Sequence, residues 1–180
     1  MAITASDVNK LRQMTGAGMM DCKKALTEAN GDFDAAIDLL RKKGQKVAAN
    51  RADRAASEGL VLAKTTADAK KGVLVSVNCE TDFVAKNADF GKMAETITDI
   101  ALQHMATDAE ALKALPFGNG LTVAGKLTEQ TGVIGEKIDV NYCGTLNAEY
   151  VYAYNHPGNR VASMVGLNKA GHEQVAKDVA

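Results

Sequence analysis

The run Val73-Leu74-Val75-Ser76-Val77 leads through Asn78 into Cys79-Glu80-Thr81-Asp82-Phe83-Val84-Ala85-Lys86-Asn87, and the reading of this junction decides the fold. The first five residues are apolar and rich in β-branched side chains over the length of a strand. Beyond the junction a helical period takes over, with Phe90, Met93, Ala94, Ile97, Ala101 and His104 or Met105 on one stripe. The junction is therefore a strand-to-helix corner that carries a large aromatic beside a carboxylate. Local chemistry leaves two readings open. Thr81-Asp82 caps the helix while Phe83 tucks into the core, as such corners often do; or Phe83 protrudes from a rigid scaffold and enters a partner.

Outward from the corner, Leu60-Val61-Leu62-Ala63 precedes the strand across a polar turn region containing Thr65, Asp68, Lys70 and Gly72, which makes an antiparallel hairpin. Downstream, Thr107-Asp108-Ala109-Glu110 has the form of a capping box for a short helix stopped before Pro116. A further helix lies between Thr122 and Thr131. The period then returns to two. Ile138, Val140 and Tyr142 alternate with polar residues, as do Tyr150, Tyr152 and Tyr154. Val161, Ser163, Val165 and Leu167 close a three-strand meander through the turn Asn155-His156-Pro157-Gly158-Asn159. A helix begins after Gly171 and has barely started at Ala180, so this end resembles part of a longer protein.

Residues 1–44 read as three amphipathic helices. Thr4 or Ser6 caps the first, which buries Val8 and Leu11 and breaks at Thr15-Gly16-Ala17-Gly18. The second carries Met19, Cys22, Leu26 and Ala29, and Gly31 ends it. Asp32 caps a third with Phe33, Ala36, Ile37 and Leu40 on one face, closed by Gly44 after Arg41-Lys42-Lys43. Met19 fits the apolar stripe and is assigned to the core; Met20 does not, and is assigned to the surface. Arg12, Lys23 and Lys24 flank that surface. Residues 45–58 are rich in alanine and charge, a linker that is helical in part. The expected organisation is thus a three-helix module over 1–44, the linker over 45–58, a first core subdomain of hairpin plus helices over 59–136, and a second subdomain over 137–180. The fold class is α+β: antiparallel sheets with packed helices behind a helical bundle.

Composition limits what such a chain does. At 180 residues it has room for one large domain or two small ones, and its 46% hydrophobic and 24% charged residues are those of an ordinary globular protein. A formal net charge of −1 gives no electrostatic footprint for nucleic acid or an anionic membrane, and only 4% of residues are aromatic, which argues against a base-stacking surface. Up to residue 54 ten basic residues stand against seven acidic ones, a mild asymmetry that a solvated helix face or an acidic partner explains equally well. Cys22, Cys79 and Cys143 are odd in number and far apart, pointing to neither a disulfide framework nor a zinc site, and so to a reduced compartment. The N-terminus lacks the basic and apolar regions of a signal peptide, and no stretch reaches the ~18 apolar residues of a membrane span, so a cytoplasmic location is expected.

No catalytic or metal constellation stands out. Gly120-Leu121-Thr122-Val123-Ala124-Gly125-Lys126-Leu127 resembles a phosphate-binding G-x-x-x-x-G-K loop, but Leu127 occupies the position of the metal-binding Ser or Thr and no strand leads into it. His104 on its helix stripe reads as a satisfied core or edge residue. His156, at a hairpin tip, is either turn chemistry or a contact point; His172 is uninformative. No cofactor is expected.

Two long motifs carry a resemblance. Leu11-Arg12-Gln13-Met14-Thr15-Gly16-Ala17-Gly18-Met19-Met20-Asp21-Cys22-Lys23-Lys24-Ala25-Leu26, with Glu28-Ala29-Asn30-Gly31-Asp32 and Leu40-Arg41-Lys42-Lys43-Gly44 after it, resembles the N-terminal module of bacterial translation elongation factor Ts. Glu80-Thr81-Asp82-Phe83-Val84-Ala85-Lys86-Asn87 resembles that family's second signature. The likeness spans the chain and is weakest between Thr107 and Glu136. It implies a guanine-nucleotide exchange factor for elongation factor Tu, not an enzyme, whose first module is a ubiquitin-associated-like bundle docking on the GTPase's nucleotide-binding domain. Partner contacts are then implied for Arg12, Met19, Met20 and Lys23. Asp82 and Phe83 become an intruding pair flanked by Thr81 and Val84, and His156 contacts another domain of the GTPase. Family members usually continue beyond the equivalent of Ala180. Two other classes fit the residues: an adaptor binding nascent chains or small folded proteins through the methionine-rich loop, and, at the outside, an enzyme using the G-x-x-x-x-G-K segment.

Overall fold

The computed structural model describes residues 3–180, so Met1 and Ala2 of the expected 1–44 module lie outside the described residues. In chain order the elements are α1 (Ala5–Thr15), α2 (Met19–Glu28), α3 (Phe33–Asn50), β1 (Glu58–Thr65), β2 (Lys71–Cys79), α4 (Asp82–Ala85), α5 (Ala88–His104), α6 (Ala109–Ala114), β3 (Pro116–Gly118), β4 (Leu121–Thr122), α7 (Val123–Ile134), β5 (Asp139–Asn147), β6 (Tyr150–Asn155), β7 (Ala162–Leu167) and α8 (Glu173–Val179). The fold is α+β with antiparallel sheets. Two compact units divide it. One takes the chain up to Arg54 together with Leu127–Lys137; the other takes Ala55–Lys126 and Ile138–Ala180.

In the first unit, caps written in the sequence set the helix starts. Thr4 and Asp7 form a reciprocal capping box on α1, and the Asp32 carboxylate accepts from the Ala35 N–H at 2.9 Å to start α3. Gly16, at φ 71°, ends α1 in the left-handed conformation that glycine adopts without penalty. Leu11, Cys22, Leu26 and Ala36 are fully buried between the three helices. Each large aliphatic side chain among them contributes about 1.5–3 kcal/mol.

Gly44 does not close the third helix: α3 continues to Asn50. Glycine is tolerated inside a helix at a cost of about 1 kcal/mol when packing needs it, and here packing does. Gly44 is buried against Gly132 of α7, and a methyl group built on Gly132 would come within 2.3 Å of the Gly44 Cα. Two missing side chains let the helix backbones touch. Met19 is corrected as well. It is 57% exposed, beside Met20 at 64%. It sits in register with Cys22 and Leu26, but a helical side chain leans over the turn N-terminal to its own Cα, and Met19 is the first residue of α2. Its side chain overhangs the end of the helix, and Ala17, 6% exposed, fills the core there.

In the second unit β2 is the central strand of a sheet ordered β1-β2-β5. Its alternate residues Val73, Val75, Val77 and Cys79 are at most 1% exposed. The expected three-strand meander is therefore not formed. β5 leaves β6 and pairs antiparallel with β2, while β6 and β7 make a separate two-stranded sheet. Alternation reports which face of a strand is buried and says nothing about which strand lies beside it. The alternation itself slips in β5. Ser76 pairs with Tyr142 and Val77 with Val140, so Asn141 is an extra, bulged residue. The bulge shifts the phase by one: Val140 and Cys143 face the core, and Tyr142 is 55% exposed.

α5 covers this sheet with Phe90, Met93, Ala94, Ile97, Thr98 and Ala101 inward. His104, expected at a core or edge position, is exposed at the end of α5, where the buried stripe has already passed to Ala101 and Ala106. α6 starts one residue later than its presumed capping box: Asp108, not Thr107, is the N-cap and accepts from the Ala111 N–H at 2.8 Å. The three cysteines are free and buried. Burial pushes the Cys143 thiol up to about 11, and its sulfur lies 3.2 Å from the Ala106 carbonyl.

The Gly44–Gly132 contact yields a sharp asymmetry. Gly132→Ala is expected to lower stability by about 1–3 kcal/mol, because its methyl meets backbone that has nowhere to move. Gly44→Ala, whose methyl would meet Gly132 only at an ordinary 3.5 Å, should stay within about 1 kcal/mol of the parent. Urea denaturation followed by circular dichroism checks both.

Candidate functional site: an exposed aromatic corner

The corner hangs from the end of β2. Cys79, the last residue of that strand, is fully buried, and its thiol donates to the Thr81 carbonyl at 3.2 Å. The chain then makes a single helical turn, α4, with Ala85 N–H donating to Thr81 O and Lys86 N–H to Asp82 O. Thr81 takes the extended N-cap conformation, but its side chain makes no capping bond to α4. The turn ends at once. Asn87 accepts from the Asp89 and Phe90 N–H groups at 2.8 and 3.4 Å and starts α5 as a new helix.

That second cap decides where Phe83 goes. Phe83 and Phe90 are seven residues apart and would share one face of an unbroken helix. The break between α4 and α5 separates them. Phe90 is 2% exposed and Phe83 is 82% exposed, which excludes the reading in which Phe83 fills the core. Asp82, the first residue of α4, is held by Lys86 one turn on, Nζ to carboxylate 2.6 Å. The Lys86 hydrogen bond, followed by the charges of Lys86 and Arg160, holds the Asp82 carboxyl below the usual aspartate range. The corner thus presents a bare aromatic ring beside a committed anion. Thr81 and Val84 are half-buried on either side of the pair.

The turn that carries His156 belongs to the same unit. His156 is exposed, and the Tyr154 hydroxyl lies 2.9 Å from its Nδ1. Gly158 and Asn159 take positive φ at 89° and 54°, which closes the hairpin between β6 and β7. Next to the turn, Arg160 pairs with Glu58 at the start of β1. Sequence reasoning missed Arg160 and Lys86: Lys86 stands four residues after Asp82, a spacing that signals a helical ion pair, whereas only the fold brings the charge of Arg160 near.

Arg12, Met19, Met20 and Lys23 lie in the other unit. All four are exposed around the turn from α1 to α2. Met14, 56% exposed near the end of α1, joins them and was not singled out in the sequence. Three exposed methionines in one short segment make an adaptable apolar surface. The G-x-x-x-x-G-K segment builds no phosphate cradle. Leu121–Thr122 form β4, Gly125 and Lys126 are inside the first turns of α7, and the Gly125 N–H is already given to Thr122 Oγ1 at 3.1 Å. Among the described residues no group of three His, Cys, Asp or Glu side chains is placed to hold a metal ion, and no helix is long and apolar enough to cross a membrane.

The α+β unit carries a projecting aromatic–carboxylate corner, and the helices that precede it in sequence carry an exposed methionine turn. A family model described as elongation factor TS matches residues 80–180, and the chain belongs to the elongation factor Ts family. It is 59% identical to elongation factor Ts of Christiangramia forsetii over 98% of this chain and 64% of that protein. With the elongation factor Ts of Amoebophilus asiaticus it shares 54% identity over 100% of this chain and 66% of the relative. For that of Bacteroides thetaiotaomicron the identity is 49%, covering 100% of this chain and 54% of the relative. The chain therefore spans between 54% and 66% of the length of these curated relatives.

The Asp82 arrangement has a direct readout. In a carboxyl NMR titration the Asp82 midpoint is expected below that of an ordinary aspartate, since the Lys86 ammonium stabilises the charged form. In Lys86→Met the midpoint should move up; an unchanged midpoint would show that the pair does not form in solution.

Proposed function

We propose that this chain acts in translation elongation as a guanine-nucleotide exchange factor for elongation factor Tu, in the cytoplasm, by non-covalent means. The observation that carries the proposal is the 82% exposure of Phe83 beside an anionic Asp82 on a corner fixed by a buried strand, in a chain of the elongation factor Ts family. Exchange needs only that the factor bind the empty GTPase better than the nucleotide-bound one; linkage then makes it weaken nucleotide binding by the same factor. Phe83 is the wedge. Its ring loses nothing by leaving water and gains about 2 kcal/mol of apolar burial only where the partner's helices have parted. Asp82 brings a negative charge toward the magnesium site and competes with the groups that hold the ion and its phosphates. Asp82 is paired with Lys86 at 2.6 Å, so its carboxylate is held in place until the partner's groups replace the ammonium.

The helical module docks on the nucleotide-binding domain of the GTPase. Arg12 and Lys23 supply charge, and Met19 and Met20, with Met14 beside them, supply the adaptable apolar contact. His156 touches a further domain of the partner. The three helices of residues 3–50 serve as a ubiquitin-associated-like bundle in this reading.

Phe83→Ala should slow release of fluorescent GDP from elongation factor Tu by roughly tenfold or more, at about 1.4 kcal/mol per tenfold. Its unfolding midpoint should match the parent's, because an exposed ring contributes little to the core. Equal GDP release by parent and variant would remove Phe83 from the mechanism.

A further inference from the structure

The outer edge of β1 is covered by the turn that carries His156. β1 pairs with β2 on one side only, so its other edge depends on groups outside the sheet for hydrogen bonds. Asn155 closes that edge with its side chain. Its Oδ1 accepts from the Ala63 N–H at 2.8 Å and its Nδ2 donates to the Ala63 carbonyl at 2.9 Å. The amide therefore behaves as a peptide unit of an added strand, satisfying donor and acceptor of one residue 92 positions away. Two residues along, the Val61 N–H donates to the Asn159 carbonyl at 2.7 Å, and beyond it Arg160 pairs with Glu58. Contacts at Glu58, Val61 and Ala63 fix the turn along β1 in one register.

That register matters because β1 also touches the corner. Glu58 pairs across the sheet with Cys79, the residue from which the corner departs, and α4 packs against β1. We infer that Asn155 is a positioning residue: by holding its turn to the edge of β1 it presents His156 and the Asp82–Phe83 corner to the partner as one surface. A hairpin tip of glycine, proline and asparagine would otherwise sample many orientations, and each contact made there would have to offset the cost of ordering it. Tyr154 completes the arrangement, since its hydroxyl at 2.9 Å from Nδ1 fixes the imidazole plane. The inference rests on the exchange role proposed above for its functional half, and on the geometry alone for its structural half.

The test uses Asn155→Ala, His156→Ala and the double variant in the full chain, with two readouts. In amide hydrogen exchange, Asn155→Ala should remove the protection of the Ala63 N–H while leaving β2 amides protected. In GDP release from elongation factor Tu, Asn155→Ala should slow the reaction several-fold in the parent, yet add nothing in the His156→Ala background, because it acts through that side chain. An equal slowing in both backgrounds would mean general destabilisation and overturn the positioning role; so would parent-like release by Asn155→Ala. A parent chain that fails to accelerate release sinks the exchange reading and with it the functional half. The clamp is then judged by Ala63 alone: lost protection upholds it, and retained protection overturns it.

Discussion

β2 is hydrogen-bonded on both edges, to β1 and to β5, and its inward residues from Val73 to Cys79 are essentially without contact with water. A strand held in this way opens only with global unfolding. The exposed corner and turn of the second unit hang from it. The corner departs from its last residue, and the His156 turn lies along its neighbour β1. The projecting ring of Phe83 is thus rigidly placed although almost nothing covers it. An exposed phenylalanine on a mobile loop would lose binding energy to ordering; on this scaffold that cost has been met by folding.

The corner is shaped by a local interruption rather than by the core. α4 closes at Lys86 and Asn87 caps a new helix, α5, so that of two aromatics of the same helical phase one is exposed and the other buried. The charges follow the same economy. Lys86 holds Asp82 from one turn away and Arg160 adds its field from the β6–β7 turn, and both push the carboxyl below the usual aspartate range. Such exposed pairs contribute little to stability. What the Lys86 pair does is fix the direction of the Asp82 carboxylate at the corner.

Much of this was legible in the sequence because caps and periods are local. Thr4, Asp32 and the Phe90–Ala101 stripe give their helices directly, and the β1–β2 hairpin follows from two apolar runs around a polar turn. What the sequence hid is non-local. Gly44 looks like a helix end until Gly132 is seen against it. The strands after Ile138 look like a meander because alternation does not name a partner, and the bulge at Asn141 turns Tyr142 outward where simple alternation turns it in. At the candidate site, the corner carrying Asp82 and Phe83 is visible as a strand-to-helix junction, while local chemistry leaves both Phe83 and His156 with two readings, and their roles are implied only by the family resemblance. Asn155 and Arg160 do not stand out, since their partners Ala63 and Glu58 are far away in sequence; Lys86, four residues from Asp82, was legible by spacing and was overlooked.

In the proposed function the chain stabilises the empty form of a GTPase at the expense of the nucleotide-bound form. The most direct measurement of this preference is a pair of affinities: the Kd of this chain for elongation factor Tu stripped of nucleotide and for the same protein saturated with GDP and magnesium, both by isothermal titration. A Kd lower by orders of magnitude for the stripped form is expected, because only there does the Phe83 ring find a site to fill. Equal Kd values for the two forms would contradict exchange altogether, since a ligand that does not distinguish two states cannot shift the balance between them.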